Sequence, residues 1–131
     1  MIVDTSAVVA ILKAEEGYES LARNILGQRA RMSAANYVEL MCVLSSSREP
    51  ATARRADQLL EALGIEVVPV SVEQARIAAD AYRAYSRGSG HPAGLNYGDT
   101  FAYALAVERN EPLLFTGRDF AATDVLRASS G

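Results

Sequence analysis

The chain has 131 residues, half of them apolar, which suits one ordinary domain with a sizeable core and argues against global disorder. Its net charge of −3 does not by itself predict nucleic-acid binding, although every basic residue except Lys13 is an arginine, the side chain that best grips phosphates. No apolar run is long enough to span a bilayer, the first residues do not predict a secretory signal, and the single cysteine cannot form an internal disulfide. We therefore expect one domain, residues 1–131, of a cytoplasmic protein with no membrane contact.

Short strands and helices follow one another along the first part of the chain. The run Met1–Val3 predicts a buried strand that stops at Asp4, and a helix follows from Thr5. The next predicted elements are a helix over 18–26 stopped by Gly27, a very short strand over 31–33 and a longer helix over 34–47. Apolar residues surround most of that last helix, which predicts deep burial with Cys42 as a small core residue.

The second part repeats the alternation. Pro50 begins a helix that Gly64 ends, the run 65–70 reads as a strand with Pro69 at a sheet edge, and Ser71 caps a helix over 72–86. After a glycine-rich loop come a helix to Arg109, a strand over 112–116 and a weak strand near 125–126. This order predicts an α/β fold, a three-layer α/β/α sandwich around a mostly parallel sheet of four or five short strands.

Four acids occupy positions that solvated surface acids rarely have: Asp4, Glu39, Asp99 and Asp119. Each lies within an apolar stretch or follows a buried strand. Parallel strands end at one edge of the sheet, so we expect the four carboxylates to meet in one cleft. Close carboxylate pairs repel by roughly 4 kcal/mol at an effective dielectric near 20, so such a cluster persists only with a cation or with raised pKa values. Oxygen ligands favour Mg²⁺ or Mn²⁺, and one His and one Cys offer little for zinc.

Each acid also has a simpler explanation. Asp4 and Asp99 are suitably placed to cap helices, each worth roughly 1 kcal/mol or less. Glu39 can pair with an arginine, and Asp119 can serve in a turn. Glu39 is the hardest to explain in this way, because an acid in the middle of a crowded helix needs a partner.

Four motifs follow one another along the chain: Asp4-Thr5-Ser6, Asn36-Tyr37-Val38-Glu39, Gly94-Leu95-Asn96-Tyr97-Gly98-Asp99 and Leu113-Leu114-Phe115-Thr116-Gly117-Arg118-Asp119-Phe120. Together they resemble the PIN domain, and in particular the VapC toxins of VapBC toxin–antitoxin pairs. The resemblance covers nearly the whole chain and implies a PIN-like fold. It also implies a metal-dependent endoribonuclease, the toxin of a type II pair, usually a homodimer and inhibited by a cognate VapB-type antitoxin.

The resemblance also assigns residues. Its catalytic and metal-binding acids are Asp4, Glu39, Asp99 and Asp119, with Mg²⁺ as the cofactor and Mn²⁺ as an alternative. Ser6, Asn96 and Thr116 match supporting polar positions. The last motif departs from that of many relatives, which carry an acid or Asn where this chain has Arg118, so Asp124 is an alternative to Asp119.

The RNA path is less defined by the sequence. Arg48, Arg83, Arg87 and Arg118, with His91, lie in or beside loops and helix ends, and each is also explained as a solvated surface residue. A phospho-receiver domain would need adjacent early acids and a late lysine, and a nucleotide-binding module would need a glycine-rich turn after the first strand. Both are disfavoured. A non-catalytic PIN-like interaction domain, or a PIN nuclease that processes RNA without an antitoxin, remains as an alternative.

Overall fold

The computed structural model describes residues 1–47 and 49–128, in which two α-helices separate each strand from the next. In chain order the elements are β1 (Ile2–Val3), α1 (Thr5–Leu12), α2 (Tyr18–Leu26), β2 (Arg31–Ser33), α3 (Ala34–Leu44), α4 (Pro50–Ala62), β3 (Glu66–Val68), α5 (Val72–Tyr85), α6 (Tyr97–Arg109) and β4 (Leu113–Leu114). Short 3-10 turns follow α3 at Ser45–Ser47 and α5 at Arg87–Ser89. Within the described ranges, no helix is long and apolar enough to cross a membrane.

The sheet has the strand order β3-β2-β1-β4, and all its neighbours are parallel. The strand β3 lies at an edge, so Pro69 follows an edge strand, as predicted. Because β1 and β4 are neighbours, the segments that leave their carboxyl ends start side by side. This brings the beginning of the chain and its last third together at one edge of the sheet.

Hydrophobic cores cover both faces of the sheet. Successive strand residues point to opposite faces, so Ile2 and Leu113 pack into one core, and Val3 and Leu114 pack into the other. Helices α1 to α4 contribute to the core around Val3, whereas α5 and α6 contribute to the core around Ile2. This arrangement confirms the predicted α/β/α sandwich.

The prediction that α3 is deeply buried is wrong. Only Asn36, Leu40 and Leu44 are buried, and their spacing of four residues defines a single narrow stripe. Val38 is 59% exposed, and Cys42 is exposed rather than a core residue. The sequence pattern predicts which residues prefer to be buried. Within this one domain, however, other elements cover only one side of the helix.

The helix α3 also ends at Leu44 rather than at Ser47. Serine hydroxyls compete with the backbone there, because Ser45 Oγ donates to Cys42 O at 2.7 Å and Ser46 Oγ donates to Val43 O at 3.0 Å. Such bonds weaken the helical hydrogen-bond ladder. The chain therefore tightens into a 3-10 turn.

The described residues form four strands, and the predicted strand near 125–126 is absent from them. A single parallel bridge joins Leu113 to Arg127, with Leu113 N donating to Leu126 O at 2.7 Å. The preceding segment is folded into turns, one of which is closed by Thr123 N donating to Phe120 O at 3.0 Å. The turns leave too little extended chain to continue the pairing.

Candidate metal centre

All four predicted acids line one cavity of about 300 Å³ at the carboxyl edge of the sheet, which we call the acidic cleft. Its lining residues are Asp4, Thr5, Ser6, Val9, Glu15, Glu39, Val43, Asn96, Asp99, Thr116 and Asp119. Asp4 follows β1 and Asp119 lies beyond β4, so the sheet order places these two acids together. Glu39 comes from α3, and Asp99 comes from the first turn of α6. Four separate segments therefore supply one carboxylate each.

Asp4 is the most deeply placed of the four acids, with 3% of its surface exposed. It caps α1, because its Oδ2 accepts a hydrogen bond from Ser6 N at 3.0 Å. Its Oδ1 is buried and has no hydrogen-bond partner. Burial raises the pKa of Asp4 to about 6 and the charge of Glu39 adds to the increase, while hydrogen bonds from Ser6 oppose it. Capping thus accounts for one oxygen of Asp4 and leaves the other unexplained.

Asp99 is held by a reciprocal capping box at the start of α6. Asn96 Oδ1 accepts from Asp99 N at 2.9 Å, and Asp99 Oδ2 accepts from Asn96 N at 3.1 Å. Burial raises the pKa of Asp99 to about 8, against the effect of the Asn96 hydrogen bond, and the charges of Asp4 and Asp119 raise it further. The predicted supporting residue Asn96 therefore fixes one of the acids directly.

The other two predicted supporting residues contact each other. Ser6 Oγ accepts a hydrogen bond from Thr116 N at 3.0 Å, which joins the start of α1 to the segment after β4. Ser6 also orients Asp4 through its own backbone N–H. The pair thus keeps the segment that carries Asp119 next to the helix that Asp4 caps.

Glu39 is held by Asn36, a residue for which no role was predicted. Asn36 Nδ2 donates to Glu39 Oε1 at 3.2 Å and to Gly98 O at 2.9 Å. A Cβ at Gly98 would overlap the Glu39 carboxylate, so only a glycine at this position leaves room for that carboxylate. The signal in the sequence was an asparagine one helical turn before an acid on the same face. Glu15 also lines the cleft, and no pattern in the sequence pointed to it.

Asp124 does not line the acidic cleft. Its Oδ1 accepts hydrogen bonds from Tyr103 at 2.5 Å and from Tyr85 at 3.5 Å, so it ties the last described segment to α5 and α6. Asp119, in contrast, lies in the cleft and raises the pKa of Asp99. Of the two alternatives left open by the sequence, the geometry favours Asp119.

The predicted RNA-contacting arginines lie outside the cleft wherever the structure describes them. Arg83 is exposed and pairs with Asp80, and Arg87 and Arg118 are exposed. Arg48 lies outside the described residues. His91 packs edge-on against Tyr85, with 4.8 Å between the ring centroids, and its Nδ1 accepts from Ala93 N. An RNA contact for these residues stays a prediction.

The acids of the cleft surround a space without forming a tight ligand cluster. Among the residues described, no three His, Cys, Asp or Glu side chains converge closely enough to count as a preassembled metal site. The chemistry nevertheless fits a hard divalent cation, since the donors are carboxylate oxygens and Asp4 Oδ1 is buried without a donor. The raised pKa values of Asp4 and Asp99 have the same origin, because buried acids without a counter-charge favour the neutral form.

Comparison with known proteins identifies the family. The sequence matches the PIN domain over residues 1–126. The chain belongs to the PIN domain family. Ribonuclease VapC42 of Mycobacterium tuberculosis is 52% identical over 126 residues, which are 95% of this chain and 96% of the relative. Ribonuclease VapC28 of the same species is 50% identical over 129 residues, covering 98% of this chain and 97% of the relative.

Solved structures with low sequence identity share the fold. The toxin VapC20 of Mycobacterium tuberculosis, described as cleaving the sarcin–ricin loop, superposes with a TM-score of 0.72 at 14% identity over 97% of both chains. A toxin–antitoxin complex from Klebsiella pneumoniae gives a TM-score of 0.71 at 14% identity, over 99% of this chain and 97% of that one. The resemblance to the PIN domain and to VapC toxins, inferred from four motifs, is confirmed.

The free energy of unfolding of the metal-free PIN domain is expected to fall as the pH rises. The native state holds protons on Asp4 and Asp99 up to pKa values of about 6 and 8, whereas the unfolded chain releases them near 3.8. The stability present below pH 3.8 is therefore lost as the pH rises through the two native pKa values. Urea unfolding in EDTA should show a free energy of unfolding that falls between pH 4 and pH 8.

Saturating Mg²⁺ should flatten this decline, because a cation favours the ionised carboxylates and binds only the native state. The double variant Asp4→Asn, Asp99→Asn is the control, since it removes both titrating groups and should be flat without metal. A wild-type free energy that rises with pH in EDTA would contradict the placement of these acids.

A methyl group at Gly98 should displace Glu39 with little effect on the fold. The Cβ of Gly98→Ala would overlap the end of a flexible side chain, so Glu39 moves and the backbone of α6 stays. We expect Mn²⁺ affinity, measured by titration calorimetry, to fall about 10- to 100-fold with an almost unchanged unfolding midpoint. Gly88→Ala is the matched control, because its Cβ meets no atom within 4 Å. Unchanged Mn²⁺ affinity in Gly98→Ala would show that Glu39 does not contribute to binding.

Proposed function

We propose that this PIN-domain protein, as one unit over residues 1–131, is a Mg²⁺-dependent endoribonuclease of the VapC type. The observation that carries the proposal is the acidic cleft, in which four segments distant along the chain each supply one carboxylate. Relatives that are 50–52% identical over almost their whole length are named ribonucleases, which supports RNA as the substrate. Mn²⁺ has the same preference for oxygen ligands and is an alternative cofactor.

The proposed roles follow from how each acid is held. Asp4, with its unpartnered buried Oδ1, and Asp99, fixed by its capping box, provide the most rigid oxygens for the cation. Glu39 and Asp119 are half-buried and complete the set from the side open to solvent. A bound divalent ion supplies Lewis acidity, which lowers the pKa of a water and offsets the charge of the phosphodiester. Attack by water rather than by a 2′-hydroxyl leaves 5′-phosphate and 3′-hydroxyl ends.

The protein is further proposed to be the toxin of a type II toxin–antitoxin pair, bound and inhibited by a cognate VapB-type antitoxin. Its fold is that of the toxin VapC20 and of a chain in a Klebsiella pneumoniae toxin–antitoxin complex. A toxin that cleaves cellular RNA works in the cytoplasm, where its substrate and its antitoxin are found. A VapC-type toxin fits the sequence identity better than an RNA-processing nuclease without an antitoxin.

A homodimer is proposed from the apolar surface between α3, α5 and α6. Two grooves of about 460 Å³ each lie on either side of Tyr97 and Phe101, one between α5 and α6 and one between α3 and α6. Large apolar side chains there are exposed, with Tyr97 at 73% and Val38 at 59%. Patches of this kind on a small domain indicate a protein contact.

Replacing single acids of the cleft should abolish RNA cleavage. Asp4→Asn and Asp99→Asn keep the shape of each side chain and remove a charged oxygen ligand. Loss of a residue that only hydrogen-bonds a metal ligand typically lowers activity by up to about 100-fold, so loss of a ligand should lower the cleavage rate by more than that. Cleavage of total RNA would be followed in Mg²⁺ and in EDTA, and the new 5′ ends would be sequenced. Asp124→Asn is the matched control and should retain most activity, because Asp124 lies outside the cleft.

Wild-type protein that does not cleave RNA in Mg²⁺, while still binding a VapB-type partner, would favour the non-catalytic interaction domain. Cleavage that persists in both acid variants would show that the ligand assignment is wrong.

The proposed dimer predicts that a charge at Val38 disrupts self-association. Val38→Glu places a carboxylate in the groove between α3 and α6 and should convert a dimer to a monomer in sedimentation velocity. Leu26→Glu on α2 is the control, since Leu26 is similarly exposed, at 61%, but lines neither groove. A dilute wild-type protein that sediments as a monomer would contradict the dimer.

A further inference from the structure

We propose that Asn36 is a positioning residue, which fixes the Glu39 carboxylate in the acidic cleft and locks α3 to the first turn of α6. The inference rests on the proposed function, because it assigns a role within that same site. Asn36 itself does not line the cleft, so it acts on the cation and the substrate only through Glu39 and α6.

The side chain of Asn36 is a buried amide whose orientation is determined by its neighbours. It is 0% exposed, and the two groups bonded to its amide nitrogen, Glu39 Oε1 and Gly98 O, are both acceptors. Only the NH₂ group can face two acceptors at once, and a flipped amide would place its oxygen against a carboxylate. The other polar atom of the amide, Asn36 Oδ1, is buried and has no hydrogen-bond partner among the described residues. The molecule thus leaves one acceptor of Asn36 unsatisfied while both donors are used at the site.

The two hydrogen bonds of this amide link the segments that carry two acids of the cleft, Glu39 and Asp99. One bond holds Glu39, three residues later on the same helix, and the other holds the residue directly before Asp99. The backbone of Asn36 adds a third link, because Thr5 Oγ1 donates to Asn36 O at 3.1 Å directly after Asp4. Asn36 therefore lies where the segments that carry Asp4, Glu39 and Asp99 meet.

A donor at this position also favours the chemistry of the cleft. A long side chain such as Glu39 has several rotamers, and it would turn away from neighbouring negative charges in the absence of a fixed donor. The amide supplies a neutral donor that holds one oxygen of Glu39 and leaves the other free for a cation. An alanine or leucine provides no such donor, and an aspartate adds a further negative charge.

The test compares Asn36→Ala with Ser33→Ala, a change at the N-cap of the same helix, at a residue that does not line the cleft. Ser33 Oγ accepts from Ala35 N at 3.2 Å as the N-cap of α3, so its loss weakens the helix without altering Glu39. Mn²⁺ affinity is measured by calorimetry, and kcat and KM are measured on a short RNA cleaved by the wild type. Unfolding midpoints of all the variants are recorded alongside.

Asn36→Ala should lose about 10- to 100-fold in Mn²⁺ affinity and a similar factor in kcat with little change in KM for RNA. Ser33→Ala should unfold at a lower midpoint with unchanged Mn²⁺ affinity. Asn36→Leu, which keeps nearly the same volume, guards against a variant that fails to fold and should reproduce the loss. Equal Mn²⁺ affinity in wild type and in folded Asn36 variants would overturn the inference, whereas a wild type that neither binds Mn²⁺ nor cleaves RNA would instead overturn the proposed function.

Discussion

The repulsion between buried carboxylates is the constraint on which the site depends. Asp4 and Asp99 are both buried, and burial together with the charges of neighbouring acids raises the pKa of each. Without a counter-charge the cluster is stable only when it is partly protonated. The surrounding structure stabilises the carboxylates with backbone and amide donors, from Ser6, Asn96 and Asn36, in place of basic side chains. Among the described residues no arginine or lysine lines the cleft, which is consistent with the proposed cation site.

The fold serves this arrangement by bringing sequence-distant segments together. Parallel pairing places β1 between β2 and β4, so the segments after β1 and β4 begin at the same edge. The helices α3 and α6 then approach that edge closely enough for Asn36 to bond Gly98. Gly98 is important at this contact because a larger residue would occupy the place of the Glu39 carboxylate. Helix packing thus contributes as much to the site as strand order does.

The sequence predicted most of the elements and the meeting of the four acids in one cleft, because both follow from local pattern, whereas the metal-binding roles of the acids stay predictions. Helix limits at Tyr18 and Leu26 follow from apolar spacing and a terminal glycine, and Asp4 follows from a strand that stops at an acid. The burial of α3 was not predictable, since apolar composition does not say whether a surface is covered by the same chain. The role of Asn36 was hidden for a related reason: its second partner, Gly98, is far away in the sequence. Asp119 and Asp124 could be distinguished only by a turn whose path depends on tertiary contacts.

The order of the strands along the chain has a consequence for protein synthesis. The strand β1 cannot pair with β4, and Asp119 cannot reach Asp4, until synthesis has passed Asp119 and that segment has left the ribosome. Such non-local pairing is also slow to form, because distant segments must first find each other. A nascent chain that has not yet reached Asp119 therefore carries only part of the cleft, and up to that point the ribosome that makes it is not exposed to a complete nuclease site.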